Sequence, residues 1–296
     1  MSKYYLRHAE FYITNVCNLT CPDCRSFNNH NFKGHYEFDA SLIAPWKDQV
    51  DLGFFAILGG EPTLHPRLGE WMKGIREIFP TTPGVIISNG VSLSRIKDLH
   101  KLAAEYRYDF IITMHSKNLR ELIASEIFST FGDCRIIEMK KFRDTDLINR
   151  IILETNLGVK IKCDSSQNFQ VAPYKNNQFE FYNSDPDKAH ANCHINGCHQ
   201  MVNGKLYKCG FVATAGEFLK QKNLPANPLI SAYSPLTVND IVSQTVLEDF
   251  QYKSIPQCSL CHEGNPLVSF TAGLKNKKIF NIQNLTETKQ TMELQK

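Results

Sequence analysis

Apolar runs of strand length alternate with helix-period segments through the first half of the chain, and this alternation restricts the fold more than any other feature. Strand-like runs cover Phe11 to Ile13, Phe54 to Leu58, Val85 to Ser88, Phe110 to Met114, Arg135 to Met139 and Val159 to Cys163. Between them, Leu68, Trp71, Met72, Ile75, Ile78 and Phe79 recur at steps of three and four residues, as do Ile96, Leu99, Leu102, Ala103 and Tyr106. Each set draws one apolar stripe along a helix. Leu119, Leu122, Ile123 and Ile127 repeat the pattern, and Leu147, Ile148, Ile151 and Ile152 predict a further helix that Gly158 ends. Asp39 is placed to cap a first helix that contains Pro45. Six strands with intervening helices predict an α/β fold on a parallel sheet with right-handed crossovers, either doubly wound or curled into a barrel.

Composition bounds the function classes. With 296 residues, 42% hydrophobic and 21% charged, the chain can bury a full core and form one large domain with a smaller one attached. MSKYYLRHAEFYITN lacks the apolar run of a secretion signal, and no stretch approaches the roughly 20 apolar residues of a membrane span. No membrane partner and a cytoplasmic location are therefore expected. The formal charge of +3 is mild and basic residues gather only in short groups such as Lys140, Lys141 and Arg143, which argues against nucleic acid as a partner. Ten cysteines in a long chain without an export signal point to metal or redox chemistry rather than to disulfides.

The first cysteine group, in ITNVCNLTCPDCRSF, is Cys17, Cys21 and Cys24, spaced C-x3-C-x2-C. Three thiolates so close suit three irons of a [4Fe-4S] cluster and leave the fourth iron open to a ligand. Zinc is the competing occupant, with His8, His30 or His35 as a further ligand. One β/α unit on, LGGEP sets Gly59 and Gly60 at a strand end where backbone can approach a ligand closely; Glu61 offers a carboxylate and Pro62 fixes the turn. ISNG (Ser88, Asn89, Gly90) and TMHS (His115, Ser116) end the next two strands with polar groups.

The cysteine loop and GGEP together resemble the signature of the radical S-adenosylmethionine (radical SAM) enzymes. The resemblance implies an incomplete TIM-like barrel, (β/α)6, over residues 1–185, with Cys17, Cys21 and Cys24 binding a [4Fe-4S] cluster whose open iron chelates S-adenosylmethionine. It implies that Gly59, Gly60, Glu61 and Pro62 hold the cofactor amine, and that Ser88, Asn89 and Ser116, with His115, meet its carboxylate and ribose. The reduced cluster would then cleave the sulfonium and release a 5'-deoxyadenosyl radical that abstracts a substrate hydrogen. Where the family usually has an aromatic residue before the third cysteine, this chain has Asp23.

The second group comprises Cys193, Cys198 and Cys209 in NCHINGCHQMVNGKLYKCGF, and Cys258 and Cys261 in QCSLCHEG. A C-x2-C pair joined to earlier cysteines through a strand-turn unit (Val202, Gly204, Leu206, Tyr207) makes a four-cysteine site, read equally as zinc ribbon or iron-sulfur cluster. His194, His199 and His262 interleave with the thiols. The order C-x10-G-x4-C followed by a distant C-x2-C resembles the twitch domain, a short form of the SPASM auxiliary-cluster domain. That implies a second [4Fe-4S] cluster within residues 186–272, held by Cys209, Cys258 and Cys261, with Cys193 or Cys198 as the fourth ligand. Cys134 and Cys163 read as buried thiols. Residues 165–190, with Tyr174, Phe179, Phe181 and Tyr182, read as a linker or substrate-facing insertion, and residues 273–296 as a polar tail that frays.

The family reading implies an oxidoreductase acting on a small molecule such as a sugar or amino-sugar derivative, or on a peptide, with electrons from a flavodoxin or ferredoxin. A non-catalytic module, stapled by zinc or iron-sulfur sites, is the contrasting expectation.

Overall fold

Ala9–Tyr12, strand β2, is buried along its whole length, as a parallel strand covered on both faces must be. It begins a series of five adjacent parallel strands: β2, β4 (Phe55–Leu58), β5 (Gly84–Ser88), β6 (Tyr108–Met114) and β9 (Lys160–Ser165). The computed structural model describes residues 3–141, 148–165, 168–175, 179–264, 266–269 and 273–275. Helices α1 (Ala40–Gln49), α2 (Leu68–Ile78), α3 (Leu99–Glu105) and α4 (Arg120–Phe131) fill the connections, while β1 (Tyr4–Leu6) and β3 (Val50–Leu52) pair separately. Asp39 caps α1 as expected, its carboxylate accepting from Ser41 N at 2.9 Å, and the helix runs through Pro45.

The predicted stripes are the buried faces. α2 buries Leu68, Trp71, Met72, Ile75 and Ile78, and α4 buries Ile123, Ile127 and Phe131. In the core, Phe11, Phe55, Phe79 and Tyr108 meet with ring centroids 5.7 to 6.4 Å apart. Arg76 ties the end of α2 to the turn after α3, donating to the carbonyls of Phe79, Thr82, Tyr106 and Arg107 at 2.6 to 3.1 Å.

One expected β/α unit is replaced by a hairpin. Arg135–Met139 does form a strand, within β7 (Cys134–Lys141), but it runs antiparallel, and residues 148–155, expected as helix, are strand β8 (Ile148–Thr155) paired antiparallel to both β7 and β9. The apolar positions there fit a helical step, yet Ile148, Ile151, Ile152 and Thr155 are β-branched and lose rotamer freedom in a helix. Ile151 and Leu153 instead stand opposite Cys163 and Ile161 of β9. Leu147 lies outside the described residues. The sheet order runs open from β14 to β7. On the far side of β2, β13 (Gln200–Val202) pairs parallel to it and β14 (Lys205–Tyr207) antiparallel to β13, so the cysteine-rich segment continues the same sheet.

Past β9, β10 (Asn168–Gln170) pairs with β15 (Leu267–Ser269), and β11 (Tyr174–Lys175) with β12 (Glu180–Phe181). The aromatic residues of this insertion pack rather than wait for substrate. Tyr174, Phe179 and Phe181 join Phe27 and the Phe211 and Phe218 of α6 (Gly210–Gln221) in a second core, where Phe27 stacks on Phe218 at 4.3 Å and on Tyr174 at 5.1 Å. The start of the tail, expected to fray, is pinned: Thr20 N donates to Gly273 O at 2.8 Å and Lys275 N to Asn18 O at 2.9 Å. Residues 276–296 lie outside the described residues. Cys163 is buried as expected, whereas Cys134 is half-buried with its thiol 3.4 Å from Gly132 O. No helix among the described residues is long and apolar enough to cross a membrane.

Candidate cofactor and metal centres

The C-terminal ends of β2, β4, β5 and β6 point to one place. The loop bearing Cys17, Cys21 and Cys24 leaves β2, Gly59 and Gly60 leave β4, Ser88 and Asn89 end β5, and His115 follows β6; together they line a cavity of about 430 Å³. Strand ends of this kind are where open α/β sheets bind ligands, and the volume is that of a small-molecule site.

Close backbone approach explains the glycine pair. A Cβ on Gly59 would stand 2.6 Å from Thr14 O, and one on Gly60 2.4 Å from Val16 O, so neither position admits a side chain. Gly60 N donates to Thr14 O at 2.7 Å and Glu61 N to Val16 O at 2.8 Å, clamping the turn against the cysteine loop. With those N–H groups taken, the turn has carbonyl oxygens to offer to a donor.

Glu61 supports the site instead of facing it. It is fully buried; Oε1 accepts from Thr63 N (3.1 Å), Thr63 Oγ1 (2.7 Å) and Ser88 Oγ (2.8 Å), and Oε2 from Asn89 N (2.8 Å). Burial pushes its carboxyl pKa up against the pull of these bonds. Neither Glu61 nor Pro62 lines the cavity. Both were expected at the cofactor; Glu61 instead holds β5 to the β4 turn. Asn89 Nδ2 donates to Asn18 Oδ1 at 2.8 Å and lies 3.9 Å from Cys17 Sγ. Ser116 is also buried behind the wall, accepting from Asn118 N at 3.3 Å, while its neighbour His115 faces in. Burial lowers the His115 pKa to about 4, which leaves a neutral imidazole at physiological pH.

The three thiols sit where bare thiolates are unfavourable. Burial pushes Cys17 up to about 12 and raises Cys21 and Cys24 as well, so only a bound cation would hold all three ionised. Lys275, half-buried, lies near enough to favour their thiolates, with its ammonium hydrogen-bonded to Asn28 O. Nothing in the sequence singled this lysine out from the polar tail. Asp23, at the position of the missing aromatic, accepts from Ala172 N at 3.0 Å and braces the rim.

The second centre is assembled from separate segments. Cys193 follows α5 (Pro186–Ala191), Cys209 precedes α6, and Cys258 and Cys261 lie in and after the turn Pro256–Leu260; all four line one cavity with His190, Lys208 and Phe211. Cys198 does not line that cavity; its thiol lies beside Glu10, within electrostatic reach of Cys193 and Cys209. Of the two candidates for the fourth ligand, Cys193 is the one that faces this cavity. Burial pushes Cys209 up to about 11 and Cys261 up to about 12, and raises Cys258. His194 faces the first cavity instead, His199 Nδ1 bonds Lys208 O at 2.9 Å, and His262 accepts from Gly264 N at 3.0 Å.

Spacing separates a single ion from a cluster. Four thiolates on one zinc at about 2.3 Å stand about 3.8 Å from one another. Among the described residues, only His8, Glu10 and Cys198 bring three ligand atoms within 4.8 Å of each other. Neither cysteine set is drawn in to single-ion spacing. Arg25 and Ile195 stand in the walls of both cavities, so the two centres adjoin.

No family model matches the chain, and no curated protein matches it. Among solved structures, the chain is similar to Streptococcus suis SuiB bound to S-adenosylmethionine, at 20% identity and a TM-score of 0.31, over 38% of this chain and 26% of that one. It is similar to SuiB bound to precursor peptide SuiA at 18% identity and a TM-score of 0.30, over 38% and 25%. Native anSMEcpe with bound AdoMet and Cp18Cys peptide gives 18% identity and a TM-score of 0.32, over 43% of this chain and 40% of that one. The matched stretch thus spans less than half of each of those chains.

Proposed function

We propose that the chain is a radical SAM oxidoreductase with an auxiliary [4Fe-4S] cluster in a twitch-like segment. The observation that carries this reading is the meeting of two distant motifs, the C-x3-C-x2-C loop and the Gly59–Gly60 turn, on the wall of one cavity. Cys17, Cys21 and Cys24 are the ligands of the first cluster, and Cys193, Cys209, Cys258 and Cys261 those of the second. When bound, the reduced first cluster supplies S-adenosylmethionine with the electron that cleaves it to methionine and a 5'-deoxyadenosyl radical.

The chain's own residues orient and protect that chemistry. The carbonyls of Gly59 and Gly60 accept from the cofactor's amine, and the Asn89 amide presents an N–H to its carboxylate, while Ser88, whose hydroxyl proton goes to Glu61, keeps the strand end in place. His115, neutral, is placed to hydrogen-bond the ribose. Lys275 offsets the negative charge of three thiolates in a buried loop. Arg25 and His194 project polar groups into the space between the two cysteine sets, where the substrate is held. An oxidation has to dispose of a second electron, and a shared wall at Arg25 and Ile195 suits its passage to the second centre. The substrate proposed for this cavity is a small molecule, such as a sugar or amino-sugar derivative, with a peptide as the alternative. A cytoplasmic flavodoxin or ferredoxin is the proposed electron donor.

Anaerobically reconstituted protein should hold about eight irons per chain, four for each cluster. Under strong reductant it should convert S-adenosylmethionine to 5'-deoxyadenosine, measured by liquid chromatography and mass spectrometry, and Cys24→Ala should abolish this. Fully iron-loaded protein that forms no 5'-deoxyadenosine would identify a non-catalytic metal module instead.

A further inference from the structure

A third group of ligand-type side chains lies outside both cavities. Glu10 is in the middle of β2, His8 stands just before that strand, and Cys198 belongs to the turn that leads into β13. The parallel pairing of β13 with β2 puts Gln200 opposite Glu10, and Glu10 N donates to His199 O at 2.7 Å. That pairing gathers one ligand atom from each of His8, Glu10 and Cys198 within 4.8 Å of the other two, the only such trio among the described residues.

Two further observations point to a ligand. His8 Nε2 is buried and makes no hydrogen bond; it stands 3.9 Å from Glu10 Oε1, beyond hydrogen-bonding distance. The Gly197 backbone lies near the same imidazole. A buried imidazole nitrogen without a hydrogen-bond partner, set beside a carboxylate and a thiol, is placed as a metal-bound histidine is. Glu10, 7% exposed, lies within 4.8 Å of the Cys198 thiol, and Gln200 Nε2 reaches its Oε2 at 3.5 Å.

We propose that His8, Glu10 and Cys198 bind one zinc ion. Imidazole, carboxylate and thiolate are all zinc donors, and the thiolate disfavours magnesium and calcium. Burial raises both acids, Glu10 to about 7 and Cys198 further. With both ionised, a divalent cation makes the group neutral as a whole, so it can stay buried without net charge. Three protein ligands leave one tetrahedral position for water. The ion clamps β2 to the loop that carries Cys193, and it gives Cys198 a role of its own next to the second centre. None of the three residues lines either cavity, so the site stands independently of the radical SAM reading.

The test is made on the full chain, reconstituted with iron and sulfide, treated with zinc sulfate and desalted. Mass spectrometric metal analysis should find one zinc per chain with iron unchanged, and zinc-edge X-ray absorption should show one sulfur at about 2.3 Å with nitrogen and oxygen neighbours at about 2.0 to 2.2 Å. His8→Gln and Cys198→Ser should each weaken zinc binding by about tenfold or more without loss of iron. Cys193→Ala should do the reverse, losing half the iron and keeping the zinc. Glu10→Gln retains side-chain shape and serves if another variant fails to fold, as judged by circular dichroism. Absence of zinc from the wild-type protein, two or more sulfurs per zinc, or undiminished zinc in the folded variants would each overturn the proposal, whatever the outcome for S-adenosylmethionine.

Discussion

The two cysteine sets differ in how much of the fold they need before they exist. Cys17, Cys21 and Cys24 come from one loop and open onto a roomy cavity with polar walls at Asn89, His115 and His194. Cys193, Cys209, Cys258 and Cys261 come together only when α5, the start of α6 and the turn Pro256–Leu260 have docked, and Ala189, Phe211, Val212 and Ile255 crowd them with apolar surface. Local spacing brings the three thiols together and leaves them facing a cavity whose other walls come from β4, β5 and β6, so the site can exchange ligands. Tertiary docking builds one sealed by its own walls, which suits holding an electron better than admitting a molecule.

The sharpest break would come at the sealed site. Cys258→Ala with Cys261→Ala should leave uncoupled 5'-deoxyadenosine formation at the open site while abolishing substrate product, each read by mass spectrometry. Full turnover in a folded variant lacking the second cluster would show that the sealed site is structural; it would then reveal itself as a lower melting temperature alone.

A smaller effect should follow at the support of the open site. Glu61→Ala leaves the Ser88 hydroxyl, Asn89 N and both Thr63 donors without their buried acceptor, at a cost on the order of 3 kcal/mol. Denaturant unfolding measures this. Glu61→Gln keeps one acceptor oxygen and should recover part of the loss. An unchanged midpoint in Glu61→Ala would return Glu61 to the cofactor and make the open site less dependent on its scaffold.

The smallest expected effect is a pH dependence. An unfolded imidazole binds a proton below about 6.5, whereas folded His115 does so only near 4. Between those values the native state holds fewer protons, so this residue's share of stability is complete above about 6.5 and is lost as the pH falls toward 4. His115→Gln should therefore flatten the acid limb of a stability-against-pH curve without altering it above neutrality. An identical acid limb in both proteins would mean that the open cavity leaves this histidine hydrated.

What could be read from the sequence was what neighbouring residues decide. The C-x3-C-x2-C spacing, Gly59–Gly60 at a strand end, Ser88–Asn89 at the next and the Asp39 cap all depend on a few consecutive residues, and all lie where the pattern put them. The spacing C-x10-G-x4-C leaned to Cys193 while Cys198 lay nearer the hairpin, and only the folded arrangement, which puts Cys193 on the cavity wall and Cys198 beside Glu10 and His8, separates them. Glu61 misled for a related reason: a carboxylate beside two glycines looks like a ligand, and only the arrival of β5 shows its oxygens already engaged. Residues 148–155 misled because apolar spacing suited a helix while β-branched content and the open edge of β9 favoured a strand. Lys275 carried no signal, since its role comes from the docking of Gly273 and Lys275 on the first cysteine loop.

The place of β13 beside β2 also sets a timetable. Glu10 and Gln200 are 190 residues apart in the chain, and a ribosome adding about 5 to 20 residues per second needs roughly 10 to 40 seconds to cover that distance. Throughout that interval one edge of β2, a strand buried along its whole length in the folded protein, has no partner, and an uncovered strand edge is a template for other chains. Nascent protein should therefore be most prone to aggregate before residue 202 emerges, and chaperones that shield the N-terminal strand would raise the soluble yield more than any change in the second half of the chain.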